Sequence, residues 1–251
     1  MNNEDAWAIA SRGVTYRLME RYEEALNDFN HAIELNGEDD WAIAERGEAY
    51  RQMGSYEEAL KDLNRAIELN DEDVWAISSR GITHRLMGSY KEALSDFTRA
   101  IELDEKYAWA IANRGITYRQ MGSYEEALSD FNRAIELNDE NDWAIASRGE
   151  TYRQMERYEE ALTDLNLAIE LDDENDWAIA SRGVTYRQMG RDEEALADFR
   201  LALEIANSEL KEDADALWAI GDRGRTYRLM GRFEEALADF ERALEIAPGA
   251  A

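Results

Sequence analysis

An arginine stands ten residues after each tryptophan: Trp41 with Arg51, Trp75 with Arg85, Trp109 with Arg119, Trp143 with Arg153, Trp177 with Arg187, and likewise Trp7 with Arg17 and Trp218 with Arg228. A guanidinium pairs with a carboxylate through parallel hydrogen bonds and stacks on planar groups, while an indole offers a broad apolar face. Repeated side by side, the two suit the capture of an acidic or amide-rich protein segment. One place beside them varies, as Val14, Glu48, Ile82, Ile116, Glu150, Val184 and Arg225. A groove lined this way would prefer a mixed segment, with an apolar stretch against Ile82 and Ile116. The competing assignment is that each indole packs on its neighbour and each arginine neutralises nearby acid; repetition satisfies both.

A second arginine, five residues after each tryptophan, is also unvarying: Arg12, Arg46, Arg80, Arg114, Arg148, Arg182 and Arg223. Its expected partner is the unvarying Asp28, Asp62, Asp96, Asp130, Asp164, Asp198 and Asp239, because an arginine at a helix seam needs a carboxylate to justify partial burial. That pair would set register. Catalytic chemistry has little to stand on. Cysteine is absent and only His31 and His84 could work near neutral pH; both read as tolerated substitutions. Adjacent carboxylates such as Glu23 and Glu24 diverge by about 100° on a helix, so they read as a solvated first turn and no metal or cofactor site is expected. No phosphate loop, nucleophile elbow or His-Glu metal motif is present.

The elements that position these residues follow from the spacing. Tryptophan recurs at intervals of 34 five times and then 41, dividing the 251 residues into blocks 6–39, 40–73, 74–107, 108–141, 142–175, 176–216 and 217–250 of a single array, 1–251. Within the first block, Ile9, Gly13 and Tyr16 share one side of a helix over Trp7–Met19, and Trp7, Val14 and Arg17 the other. Ala25, Phe29, Ala32 and Ile33 form the stripe of a second helix over Tyr22–Leu35. Gly54, Gly88, Gly122, Gly190 and Gly231 suit left-handed caps between the two; Glu20 and Glu156 replace that glycine in two blocks. The extra seven residues of the sixth block are close to two helical turns, so its second helix is expected to lengthen through Glu212 without rotating. Such an insertion is either a local contact point or a tolerated change at a hairpin edge.

These blocks resemble the tetratricopeptide repeat, whose glycine, tyrosine, Ala-x3-Phe and later alanine fall at Gly13, Tyr16, Ala25, Phe29 and Ala32, and again at Gly115, Tyr118, Ala127, Phe131 and Ala134. The resemblance implies an all-α, right-handed superhelical solenoid of seven antiparallel helix-turn-helix repeats. It also implies that the first helices line a concave side binding peptides or helices of partner proteins. Two departures stand out: the tryptophan sits two residues upstream of the family's place, and the closing proline survives only as Pro248. The lysine and asparagine clamp by which some relatives hold chaperone tails does not transfer, since Trp, Ala and Val/Glu/Ile stand there.

The formal charge of −28 argues against gripping nucleic acid or an anionic membrane. No apolar run is long enough to span a bilayer, and Met1-Asn-Asn-Glu-Asp5 does not read as a signal peptide, which implies a cytoplasmic chain. The expected function is a non-catalytic protein-interaction scaffold with the Trp/Arg groove as its site. Two alternatives stay open. Leu237 and Leu244 in the last helix lack a covering helix, implying self-association through repeat ends or a fragment of a longer protein; the latter includes a regulatory module of a signalling protein. The near-identity of blocks fits recent duplication or a consensus design, while Ser78, His84, Glu20 and Glu156 favour a natural source.

Overall fold

The computed structural model describes residues 5–246, so Pro248 and the first four residues read above lie outside the described residues. The described chain folds into helical hairpins: α1 (Ala6–Leu18) with α2 (Tyr22–Leu35), α3 (Asp40–Gln52) with α4 (Tyr56–Leu69), α5 (Val74–Leu86) with α6 (Tyr90–Leu103), α7 (Ala108–Gln120) followed by α8 (Tyr124–Leu137), α9 (Asp142–Gln154) with α10 (Tyr158–Leu171), α11 (Asp176–Gln188) with α12 (Asp192–Glu212), and α13 (Leu217–Leu229) with α14 (Phe233–Ile246). No strand occurs among the described residues. Two compact units divide it, residues 5–117 and 118–246.

Each helix begins and ends for local reasons. Asp39, Asp73, Asn141 and Asn175 cap first helices, their side-chain oxygens accepting from backbone N–H groups two or three residues on. The second helices from α2 to α12 have no such side-chain cap, but most carry paired acids in the first turn, where the helix dipole favours them. Between the two helices the chain turns through a left-handed residue: Gly54, Gly88, Gly122, Gly190 and Gly231 have φ between 75° and 79°, and Glu20 and Glu156 adopt 58° and 60°. In both glutamate blocks the next residue, Arg21 or Arg157, lies over the ring of Tyr16 or Tyr152 at 4.6 and 4.5 Å.

A sixteen-residue offset locks each hairpin. Arg182 of α11 donates from Nε and Nη2 to the two oxygens of Asp198 on α12 at 2.9 and 2.8 Å. One residue on, Gly183 lies so close to the ring of Phe199 that an added Cβ would meet it at 2.8 Å. The same fork joins Arg12 to Asp28, Arg46 to Asp62, Arg80 to Asp96, Arg148 to Asp164 and Arg223 to Asp239, so every block lying wholly within one unit has it. Phe29, Leu63, Phe97, Leu165 and Phe199 are fully buried at the seam, with alanines such as Ala25 and Ala32 letting the helices approach.

The arginine also ties each block to the one before. Its remaining nitrogen reaches an asparagine of the preceding second helix: Arg46 to Asn30 at 2.7 Å, Arg80 to Asn64, Arg148 to Asn132 and Arg182 to Asn166, each at 2.8 Å. This second partner was not foreseen from the sequence, although the asparagine recurs there.

The seven extra residues lengthen α12 to 21 residues through Glu212, as expected. Their effect is a step. The place held by Asn166 in the fifth block falls on Arg200 in the sixth, yet Arg223 binds Asn207 at 2.9 Å, seven residues further along α12. The last hairpin therefore docks about 10 Å down that helix, at roughly 1.5 Å per residue.

Candidate functional site

Within each unit, successive first helices touch one another, α1 with α3 and α3 with α5, then α9 with α11 and α11 with α13. Among the described residues no such contact joins two second helices of a unit. The first helices thus form the shorter, inner side of each unit, where the sequence placed its tryptophans and arginines.

In the first unit, Trp41, Trp75 and Trp109 are half-buried on α3, α5 and α7, and Tyr107 lies 5.9 Å from Trp109, ring to ring. Arg17 donates to Glu45 of the next block at 3.1 Å. Burial pushes the Glu45 carboxyl up from its ordinary range, with Arg17 opposing. Arg51 grips Glu48 of its own helix through Nε at 2.8 Å and through Nη2, and Gln52 binds the same carboxylate at 2.9 Å. Arg85 is half-buried on α5. Glu48 is 7% exposed and Ile82 and Ile116 are 6% exposed, so these three are buried and do not stand out from the face.

In the second unit, Trp143 and Trp177 are half-buried on α9 and α11. Arg153 grips Glu150 at 2.8 and 2.5 Å, Gln154 adds 2.9 Å, and Glu150 is 9% exposed. Arg153 also reaches Gln188 of the next block at 2.9 Å. Arg119 behaves differently. Its Nη1 is 3.8 Å from Glu150 and its Nε is buried with no hydrogen-bond partner. Burial lowers its proton affinity from the ordinary value, Glu150 working against that and Arg153 with it. Arg187 is exposed and donates to the backbone carbonyl of Leu229, at the end of α13.

The step in docking reshapes this region. A cavity of about 210 Å³ is lined by Arg119, Glu150, Arg153, Trp177, Ala180, Ser181, Val184, Arg225 and Leu229. Ala180, Ser181 and Leu229 were not among the groove residues expected from sequence. Arg225 occupies the variable place noted above, and its presence beside Trp177 depends on how far α13 slides. Asp176 at the start of α11 faces Asp222 of α13, and burial, reinforced by Asp222, pushes the Asp176 carboxyl up to about 6.

Among the described residues no group of three or more His, Asp or Glu side chains is placed to hold a metal ion. No described helix is long and apolar enough to cross a membrane.

A family profile described as tetratricopeptide repeat matches residues 40–106, 75–140 and 177–248, and related profiles match 149–190 and 8–39. No curated protein sequence matches the chain. Among solved structures, a tetratricopeptide repeat protein from Parabacteroides merdae is 18% identical, with a TM-score of 0.68 over 96% of this chain and 93% of its own. YrrB, described as a TPR protein with an unusual peptide-binding site, is 25% identical, with a TM-score of 0.51 over 76% of this chain and 95% of its own. MamA is 23% identical, with a TM-score of 0.55 over 66% of this chain and 96% of its own.

Proposed function

The chain belongs to the tetratricopeptide repeat family, and from that premise we propose that it is a non-catalytic scaffold that holds a peptide or helical segment of a partner protein against its first helices. The observation that carries this reading is the lateral contact of first helices alone, which makes the helices that carry Trp41, Trp75, Trp143 and Trp177 and their arginines the inner layer of each unit. Such a side presents many shallow contacts to an extended ligand. YrrB, described by its peptide-binding site, supports the choice of a peptide over a small molecule.

Arg51 and Arg153 already hold glutamates of their own helices, so they act in this reading as hydrogen-bonding faces more than as free positive charges. The test is affinity capture from lysate with the full chain and with an Arg51→Gln/Arg85→Gln variant, after circular dichroism shows equal helicity. A partner identified by mass spectrometry and lost with the variant supports the scaffold and its face. Equal capture by both removes those arginines from the face; a chain that retains nothing above a helical control protein overturns the reading.

A further inference from the structure

We propose that the cavity at the step between α11 and α13 is an anchor pocket for a carboxylate side chain of the partner segment, with a neighbouring bulky apolar side chain resting on Trp177. The inference rests on the scaffold reading and assigns the chemistry of one part of its ligand.

Size comes first. About 210 Å³ holds one side chain, below the roughly 300–1,000 Å³ of pockets that enclose a whole small ligand. The charge inside is opposite in sign to the chain around it. Three arginines line the cavity against the single Glu150, in a chain whose formal charge is −28. Arg153 and Glu150 satisfy each other through a two-pronged contact, which leaves Arg119 and Arg225. Arg225 holds Asp222 at 2.7 Å with nearly half its side chain still exposed. Arg119 has a buried Nε–H with no acceptor and no oxygen of Glu150 within hydrogen-bonding distance of its Nη1. A carboxylate is the acceptor whose charge and geometry fit such a guanidinium best.

The remaining walls, Trp177, Ala180, Val184 and Leu229, are apolar and suit a partner side chain adjoining the acid. The pocket is particular to this place. Arg225 and Leu229 come from α13, which docks further along the lengthened α12, as the Arg223–Asn207 bond records.

The experiment is an NMR titration of the arginine Nε–Hε resonances of the full chain. The probes are the blocked peptide acetyl-Gly-Glu-Phe-Gly-amide, its Gln-for-Glu counterpart and sodium acetate. The expected result is saturable movement of the Arg119 resonance by the Glu peptide at about millimolar affinity, at least about tenfold weaker with the Gln peptide or in Arg225→Glu. Arg225→Glu also removes the Arg225–Asp222 pair, so unchanged amide spectra outside α11 and α13 check that the fold is kept, and Arg225→Gln, which adds no acid, is run beside it. Equal response to both peptides, or none to either, overturns the carboxylate assignment. Acetate acting as strongly as the Glu peptide overturns the apolar contact with Trp177 and the choice of a protein segment. With a captured partner in hand, undiminished binding by Arg225→Glu would overturn the pocket and leave the scaffold standing. A chain that captures no partner yet binds the Glu peptide would do the reverse.

Discussion

Arg223 donates to Asn207 at 2.9 Å, whereas the spacing of the other blocks would set it opposite Arg200. One bond therefore reports where the last hairpin sits. Removing residues 206–212 would restore the regular spacing and bring two guanidinium groups together. The shortened chain should lose about 1–3 kcal/mol, from a buried donor left without its acceptor. Adding Arg200→Asn should recover most of it. Urea unfolding midpoints of the three chains check this, and a shortened chain as stable as the parent would refute the docking register.

Asp164 receives two hydrogen bonds from Arg148 at 2.7 and 2.8 Å in a largely buried seam. Asp164→Ala strands that arginine and should destabilise the chain by about 1–3 kcal/mol. Asn132→Ala, which removes only the inter-block bond, should cost about 1 kcal/mol or less. Calorimetry distinguishes the two, and equal losses would mean that the fork has no special role.

Glu156 holds φ at 60° where most blocks use glycine. Glu156→Gly should raise stability by about 1 kcal/mol, since a left-handed backbone is disfavoured for residues with a Cβ. Gly183→Ala should do the opposite. The new Cβ would lie 2.8 Å from the ring of Phe199, and overpacking of this kind costs about 1–3 kcal/mol. Thermal melts of both variants read the two signs.

The raised Asp176 carboxyl gives a pH signature. Burial and Asp222 push it up, with a smaller contribution from Asp172, while Arg225 and the Trp177 backbone pull it down. A carboxyl whose folded pKa, about 6, exceeds its ordinary 3.8 binds its proton more tightly when folded, so ionisation opposes folding at neutral pH. That opposition is complete above the folded value and fades as pH falls towards the ordinary one. Asp176→Asn should therefore melt higher than the parent at about pH 7.5, and the gap should close by about pH 4. A pH-independent gap would assign the effect to packing.

Much of this was legible from spacing. Period 34 placed the hairpins, the second helix of the sixth block was extended to Glu212 from the length of the insertion alone, and the Arg/Asp forks followed from two unvarying residues sixteen apart. Ile82 and Ile116 were expected to meet a ligand but are buried, and helical phase alone does not reveal how much of a face its neighbours cover. Glu48 and Arg51 are three residues apart, an interval at which helical side chains meet, so their mutual capture was readable and was missed. The cavity was beyond reach because it depends on how far α13 slides along α12, and sequence states the number of inserted residues but not which bond takes up the displacement.

The lengthened α12 acts as a vernier. Seven residues advance a helix by nearly two whole turns, leaving a rotation of only about 20°, so α13 moves along the scale while presenting almost the same side. Inserting three or four residues instead would swing the following hairpin by tens of degrees and break the Arg223 contacts. Length at this position is therefore adjustable in increments of seven, and each increment would change which side chains of α13 stand beside Trp177 without altering any residue of the repeats themselves.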